Sequence, residues 1–406
     1  MNTSKLKSRC RFLSGVLAAV FLAVTMAVCL RVWLFGQEQQ RLDSFSRGTI
    51  YDRTGEVIAM SEPGRQAQRT CTNGQAASAL VGYVSREHGS DGIERLYDSW
   101  LAPAEGDDTH GDIRLTVDSR LQQVCLDSIL GAQAAGAVVM DIETGAILAS
   151  VDTPSFDPAE LEEDYEGVVS RGCVFYNICA GSGVTPGDMF LLPSCCAAVR
   201  AGDTNLAQKL IAGEAQPEDI AGIRRDMSGV MSRRLLVGQT IELDCMTLRS
   251  GTESTDGGES TDGEYLDALM GYGSARLSPM QVCMYTAALA REDGSIVKPC
   301  AVDSMVSRSG VVTDCEGGEI LSRGAFNAEA KIVLAQLFET CDAAEGSFSA
   351  MTASSASGSN ENIWLTAYYP SEDPRYALTI IMQNEYGAAD EDDALAAARK
   401  IIESLD

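Results

Sequence analysis

Few side chains in this sequence have the types and spacing of a nucleophile with its base. Ser-x-x-Lys occurs twice, at Ser4 to Lys7 and at Ser295 to Lys298. On a helix, residues i and i+3 share one face, so the amine of such a pair can accept the proton of the hydroxyl. The first string precedes an apolar run, and the second lies in a strand-like segment before Pro299. Neither string is therefore predicted to be catalytic.

Other nucleophilic or metal chemistry has as little support. The only histidines, His88 and His110, fall near the N-terminus, which argues against a Ser-His-Asp triad. Cys195 and Cys196 have no basic neighbour, so packing inside a helix is a better explanation than reactivity. No Cys-x-x-Cys or Cys/His spacing is present. No metal site and no cofactor are predicted. The cysteines after Cys29 are odd in number and thinly spread, which favours buried free thiols over a disulfide framework.

The N-terminal region has the pattern of a membrane anchor. Basic residues within 1–11 precede an apolar run, Phe12 to Leu30, that approaches the ~20 residues needed to span a bilayer. The positive-inside rule then predicts a cytoplasmic tail at 1–11, a transmembrane helix at 12–34 and an extracytoplasmic remainder, in the plasma membrane. A cleaved signal peptide is the alternative, but its apolar region is usually only about 7–15 residues.

The remaining segments predict an α+β fold in which distant strands share one sheet. A strand pair is expected at 135–141 and 146–151, and another at 363–369 and 376–383. Helices are expected across most of 185–238, over 266–290 and 327–341, and at 392–405. Residues 251–264 contain a five-residue repeat without apolar residues and are predicted to be a disordered acidic insertion. The formal net charge of −27 argues against nucleic-acid binding.

Several short motifs in these segments resemble those of the class B penicillin-binding proteins, and they occur in the family's order. They are Arg47 to Ala59, Gly92 to Glu94, Leu115 to Asp118 with Gln122, Thr144 to Ala149, Pro154 to Pro158, Gly271 to Gly273 with Leu277 to Gln281, and Trp364 with Tyr368 and Pro370. The resemblance implies a small N-terminal stalk or dimerisation-like module at 35–112. It also implies a transpeptidase-like domain of the serine acyl-transferase and β-lactamase fold at 113–406, an antiparallel sheet with helices. Residues expected to hold the N-terminal module together are Arg47, Asp52, Arg53, Gly55 and Glu94, with Arg47 and Glu94 as an exposed ion pair.

The family's catalytic motifs are altered at the matching positions. The family's motif is P-G-S-T-F-K at the positions that Pro186 to Leu191 occupy in this chain. Asp188 therefore replaces the serine nucleophile and Leu191 replaces the lysine base. Asp188 is expected to be a helix N-cap, and Pro193 is expected to disturb the helix that follows. The S-x-N motif has only Ser228 to Val230 and Ser232 to Arg234 as candidates, and neither ends in asparagine. The K-T-G-T position is taken by a vestige of the substrate groove, Ser354, Ser355, Ala356 and Ser357.

These substitutions lead to three hypotheses about function. The preferred one is a non-catalytic pseudo-transpeptidase of cell-wall peptidoglycan synthesis that acts as a scaffold or regulator. By resemblance, its partner would be a multi-spanning glycan-strand polymerase. The alternatives are an active D,D-transpeptidase with divergent motifs and a sensor whose groove binds peptidoglycan fragments without reaction.

Overall fold

A computed structural model describes residues 20–31, 47–61, 69–85, 87–102, 111–172, 174–181, 183–251 and 261–405. Residues 20–31 are helical and exposed. Within the described ranges, no helix is both long and apolar enough to cross a bilayer. The predicted tail at 1–11 and the remaining parts of the predicted anchor, 12–19 and 32–34, lie outside these ranges, as do residues 252–260 of the predicted insertion.

The described chain alternates short strands with helices. The strands are β1 (Ile50–Tyr51), β2 (Val57–Ser61), β3 (Arg69–Cys71), β4 (Val84–Ser85), β5 (Gly89–Ser90), β6 (Gly111–Leu115), β7 (Ala134–Asp141), β8 (Ile147–Thr153), β9 (Thr240–Glu242), β10 (Thr247–Arg249), β11 (Ile296–Val297), β12 (Val302–Ser307), β13 (Val312–Asp314), β14 (Ile320–Ser322), β15 (Glu339–Ala343), β16 (Gly346–Ser357), β17 (Asn360–Tyr369) and β18 (Tyr376–Glu385). With 20–31 as α1, the further helices are α2 (Gln75–Ser78), α3 (Gly92–Leu96), α4 (Asp98–Leu101), α5 (Ser119–Ile129), α6 (Tyr165–Ser170), α7 (Leu191–Arg200), α8 (Thr204–Ile211), α9 (Pro217–Ile220), α10 (Arg224–Arg234), α11 (Asp262–Leu269), α12 (Pro279–Ala290), α13 (Ala328–Leu334) and α14 (Glu391–Ile402).

The central sheet joins strands from both ends of the domain. Its order is β15-β16-β17-β18-β7-β8, and each neighbouring pair is antiparallel. One face packs against α5 and α14, where Leu126 and Ile401 meet Ile363 and Leu378. The other face packs against α12, which contacts β7, β17 and β18. This arrangement is the α+β architecture that the sequence predicts.

A second sheet holds the N-terminal module and takes strands from elsewhere in the chain. Its order is β13-β12-β6-β1-β2-β3. The predicted module boundary at residue 112 falls inside β6, whose Ile113 pairs with Ile50 of β1. Strands β12 and β13, nearly 200 residues later in the chain, extend the same sheet. The N-terminal module and the domain therefore share main-chain hydrogen bonds.

Three predicted elements have different bounds. The helix predicted over 266–290 is two helices, α11 and α12, because Gly271 and Gly273 adopt positive φ between them. The helix predicted over 327–341 ends at Leu334, since Glu339 to Ala343 pair with β16 instead. The last residues of the predicted acidic insertion, 261–264, begin helix α11, because Thr261 caps a helix that starts at Asp262.

Candidate functional site

Asp188 and Leu191 lie where a short 3₁₀ turn, Gly187–Phe190, leads into α7. The Asp188 side chain is exposed, whereas Leu191 is only 3% exposed and packs in the core. The position expected to hold a base therefore carries a buried alkyl group that cannot accept a proton. A nucleophile at position 188 would have no base one helical turn away.

Two expectations about this turn are wrong. Asp188 accepts no capping hydrogen bond at the start of either the 3₁₀ turn or α7. Pro193 does not disturb α7, because it is the third residue of the helix and the first turn needs no donor there. The helix forms normally and simply starts three residues after Asp188.

The loop before Asp188 is fixed to the central sheet at one carbonyl. The oxygen of Thr185 accepts from Ser355 Oγ at 2.7 Å, from the indole Nε1 of Trp364 at 3.0 Å and from Asn362 Nδ2 at 3.4 Å. Asn362 is fully buried, and its Oδ1 accepts from Gln383 Nε2 at 2.9 Å. These contacts hold the loop against β16 and β17, and so set the position of the Asp188 turn.

Two glycines allow the same turn to pack closely on its other side. Gly187 donates its N–H to the carbonyl of Gly271 at 3.2 Å. A Cβ on Gly271 would lie 1.7 Å from the Gly187 oxygen, and a Cβ on Gly187 would lie 2.4 Å from the Ser354 oxygen. No side chain fits at either position without moving the backbone. The segment Gly271 to Gly273 therefore contacts the Asp188 turn directly.

Ser354, Ser355 and Ala356 of the predicted groove vestige do not share one surface. Ser355 is buried and points toward Thr185, whereas Ser354 and Ala356 are exposed. Because side chains alternate along a strand, Ser354 faces the side of the sheet that carries α14. There it lines an open groove of about 480 Å³ whose carboxylates are Glu361, Asp390, Glu391 and Asp393. No lysine or arginine lines this groove among the described residues.

The charge around Asp188 is also negative. Although Asp188 is exposed, partial desolvation by neighbouring protein atoms raises its pKa, and the nearby Glu391 carboxylate raises it further. Lys209 pairs with Asp219, Lys298 pairs with Glu319, and Lys331 binds the main-chain carbonyl of Arg291. Lys400 lies in the last turn of α14. These contacts leave none of the four lysines as an ion-pair partner of Asp188 among the described residues.

The two candidates for the second motif lie on α10 and have structural roles. Ser228 Oγ bonds the Tyr265 hydroxyl at 3.0 Å and so joins α10 to α11. The carbonyl of Ser232 accepts from Gln239 Nε2 at 2.6 Å. Neither serine is placed as part of a catalytic pair.

The ion pair expected in the N-terminal module is present, but it is buried rather than exposed. Arg47 Nε donates to Glu94 Oε2 at 2.7 Å, and Arg69 Nε donates to Glu94 Oε1 at 2.6 Å. The side chain of Glu94 is 1% exposed. Arg47 also pairs with Asp98 at 2.5 Å. One buried carboxylate thus holds two arginines from different strands and loops.

Asp52, Arg53 and Gly55 connect the N-terminal sheet to α5. Asp52 Oδ1 accepts from the N–H groups of Thr54 and Glu56, and Oδ2 accepts from Ser119 N at 3.1 Å. Burial acts to raise the pKa of Asp52, but these hydrogen bonds outweigh it and the pKa is lowered. Arg53 N donates to the Val117 carbonyl at 2.9 Å, and Gly55 has φ of 92°. The motif is therefore a turn that joins two parts of the fold.

Removing one donor to the Thr185 carbonyl is expected to have a modest effect. Ser355→Ala should lower the free energy of unfolding by about 1 kcal/mol, because the indole of Trp364 still satisfies that oxygen. Urea denaturation of the variant and of Ser347→Ala, a serine on the same strand without a contact to Thr185, would measure the difference. A loss above about 3 kcal/mol would contradict this expectation.

Comparisons with known proteins agree with this architecture. A family model for the penicillin binding protein A dimerisation domain matches residues 47–139. The peptidoglycan D,D-transpeptidase PbpA of Mycolicibacterium smegmatis is 22% identical, over 84% of this chain and 85% of that protein. The peptidoglycan D,D-transpeptidase FtsI of Escherichia coli (strain K12) is 24% identical, but that match spans only 24% of this chain and 21% of the relative.

Solved structures share the fold. Penicillin-binding protein A of Mycobacterium tuberculosis superposes with a TM-score of 0.74 at 19% identity, over 90% of this chain and 99% of that one. The D,D-transpeptidase domain of a peptidoglycan glycosyltransferase from Eggerthella lenta gives a TM-score of 0.72 at 20% identity, over 88% and 97% of the two chains. The chain is a homologue of the class B penicillin-binding transpeptidases.

Proposed function

We propose that this protein is a non-catalytic member of the penicillin-binding protein family that acts in peptidoglycan synthesis through binding. The proposal depends mainly on one observation: at the start of α7, the nucleophile position holds an exposed Asp188 and the base position holds a buried Leu191. In this proposal the chain is held in the plasma membrane by residues 12–34, with its folded part outside.

Acyl transfer at Asp188 faces two chemical obstacles. Attack of a carboxylate on an amide gives an anhydride, a poor intermediate compared with an ester, and a general acid is needed to protonate the leaving amine. Leu191 supplies no such group. The nearby Glu391 carboxylate adds like charge, which opposes formation of an oxyanion at this position.

Substrate binding faces an electrostatic obstacle. Family members bind the terminal carboxylate of the stem peptide through the lysine and threonine of K-T-G-T, as the resemblance implies. Here the strand offers serines and an alanine, and Glu361, Asp390 and Glu391 lie beside it. These carboxylates would repel a substrate carboxylate at short range, so an anionic substrate would bind weakly.

The N-terminal module supports a role in binding. Its buried Glu94 pairs with both Arg47 and Arg69, and its sheet is continuous with β6 and β12 of the domain. The N-terminal module keeps a defined shape, whereas the reaction centre lacks a base. This combination is consistent with a scaffold or regulator. The proposed partner is a multi-spanning glycan-strand polymerase.

Release of D-alanine from a pentapeptide ending in D-Ala-D-Ala tests the loss of catalysis. The full chain in detergent should release no more D-alanine than buffer does, and Asp188→Ala should behave identically. Release that depends on Asp188 would contradict the proposal and favour a divergent transpeptidase. Calorimetric binding of muropeptides without release would instead favour a sensor of peptidoglycan fragments.

Co-purification tests the binding role. The full chain, cross-linked in its native membranes, should recover a glycan-strand polymerase, and Glu94→Gln should reduce that recovery. Glu319→Gln, which changes an exposed pair far along the chain, is the control and should leave the recovery unchanged. Equal recovery by both variants, or recovery of no cell-wall synthesis protein, would count against the scaffold.

A further inference from the structure

Helix α10 concentrates positive charge in a strongly acidic chain. The chain has a net charge of −27, yet α10 carries four arginines, Arg224, Arg225, Arg233 and Arg234, and a single carboxylate, Asp226. Met227 and Met231 are buried and fix which side of the helix faces the core. Arg225, Arg233 and Arg234 are exposed on the remaining surface.

These arginines continue onto a neighbouring loop. Arg234 Nη1 lies 3.5 Å from the carbonyl oxygen of Arg323, and Arg323 is itself exposed. We call Arg225, Arg233, Arg234 and Arg323 the arginine surface. Within the described part of the chain, none of the four forms an ion pair with a carboxylate, whereas Arg224 on the inner side pairs with Asp262 at 3.2 Å.

A glycine in the middle of α10 makes room for one of these guanidinium groups. A Cβ on Gly229 would lie 2.6 Å from Arg233 Nη2, so the guanidinium occupies the space that a side chain at position 229 would need. Glycine inside a helix costs roughly 1 kcal/mol relative to alanine. The Arg233 guanidinium is thereby directed back toward the turn that carries Arg225. Like charges brought together on a helix are unfavourable unless an anion lies between them.

We propose that the arginine surface binds a short acidic segment of a partner protein, through its Asp and Glu carboxylates. Guanidinium groups match carboxylates in planar two-point pairs, and Arg224 already binds Asp262 on the same helix. The surface spans about 12 Å between Arg225 and Arg233 at 1.5 Å per residue. A long polyanion would extend beyond this surface and be repelled by the acidic remainder of the chain. The carboxylates of a short segment would all stay within about one screening length, roughly 8–10 Å, of an arginine.

The surface is separate from the Asp188 turn and does not depend on the proposed loss of catalysis. The same four arginines would be available for binding if this chain were an active transpeptidase. The D-alanine assay and the binding assay below can therefore fail independently.

Fluorescence anisotropy of a labelled tetra-glutamate peptide, which is about 13 Å long when extended, with the full chain in detergent tests the proposal. Arg225→Glu with Arg233→Glu should weaken binding about tenfold or more. The matched control, Arg120→Glu with Arg308→Glu, makes the same charge change at two exposed arginines elsewhere and should leave the affinity unchanged. Equal weakening by both double variants, or no binding by the unaltered chain, would overturn the proposal.

A second variant separates binding from folding. Gly229→Ala should raise or preserve the thermal unfolding midpoint, because alanine favours the helix, while displacing the Arg233 guanidinium and weakening the peptide. Unchanged affinity in a folded Gly229→Ala chain would contradict the role given to Arg233. Tighter binding of inorganic polyphosphate than of a peptide of equal charge would overturn the assignment to carboxylates.

Discussion

Replacing Glu94 by glutamine is expected to lower the free energy of unfolding by about 3–5 kcal/mol. Glu94 is 1% exposed and receives Arg47 and Arg69, whose side chains are 6% and 9% exposed. The substitution leaves the buried Arg69 guanidinium without its counter-charge and leaves Arg47 with only the partly exposed Asp98. Loss of a buried counter-charge costs far more than loss of a surface pair. Chemical denaturation of the full chain, followed by tryptophan fluorescence, measures the change.

Glu319→Gln is the matched control for this prediction. Glu319 is 63% exposed in its pair with Lys298, so its loss should cost less than about 1 kcal/mol. If the two variants lost similar stability, the Glu94 network would not be the buried anchor of the N-terminal module.

Replacing Asp152 by asparagine is expected to stabilise the protein at neutral and alkaline pH but not at acid pH. Burial raises the pKa of Asp152 to about 7, only partly offset by a hydrogen bond from Ile178 N at 3.3 Å. The carboxyl is 4% exposed and has no ion-pair partner among the described residues. Its stabilising contribution is complete below the unfolded pKa near 3.9 and is lost as pH rises through about 7.

The pH profile gives the size of this effect. A raise of roughly three pKa units corresponds to about 4 kcal/mol, reached by about pH 8. The difference in unfolding free energy between Asp152→Asn and the unaltered chain should therefore grow from pH 4 to pH 8. Asp127→Asn, at an exposed aspartate on α5, should show no such growth. A difference that stays constant with pH would show that Asp152 is ionised throughout.

Local signals in the sequence predicted the elements that depend on near neighbours. Asp118, a residue type common at helix N-caps, accepts from the N–H groups of Arg120 and Leu121 at the start of α5. Asn327 accepts from Ala330 N at 3.0 Å at the start of α13. The β7–β8 pair forms where apolar runs flank Thr144 and Gly145, because the turn chemistry lies within the same few residues.

Features that depend on distant segments could not be predicted in the same way. Nothing near Val302 to Ser307 indicates that this strand completes the N-terminal sheet beside β6. Glu391 lies about 200 residues from Asp188, so its effect on the Asp188 pKa had no signal in the sequence. The burial of the Arg47–Glu94 pair was missed because both residues are polar and only the fold removes them from water.

The local geometry around Asp188 and the serine strand differs from what the motifs predict. The P-G-x-x-F frame at Pro186 to Phe190 gave the place of Asp188, yet a capping role was assigned to a side chain that lies within a 3₁₀ turn. Side chains alternate along β16, so Ser355 and Ser354 of the predicted vestige lie on opposite faces of the sheet. Asn362, Trp364 and Ser355 all donate to the Thr185 carbonyl. This contact could not be predicted, because it depends on how two strands and a distant loop pack together.

The mass of the intact full chain after incubation with benzylpenicillin tests the central claim most directly. A serine or any other competent nucleophile in this fold would form a stable acyl adduct, adding the mass of the drug. With Leu191 at the position of the base, we predict an unchanged mass after prolonged incubation at neutral pH. A stoichiometric adduct that peptide mapping places in the segment from Pro186 to Leu191, and that Asp188→Ala abolishes, would contradict the claim that this centre is inactive.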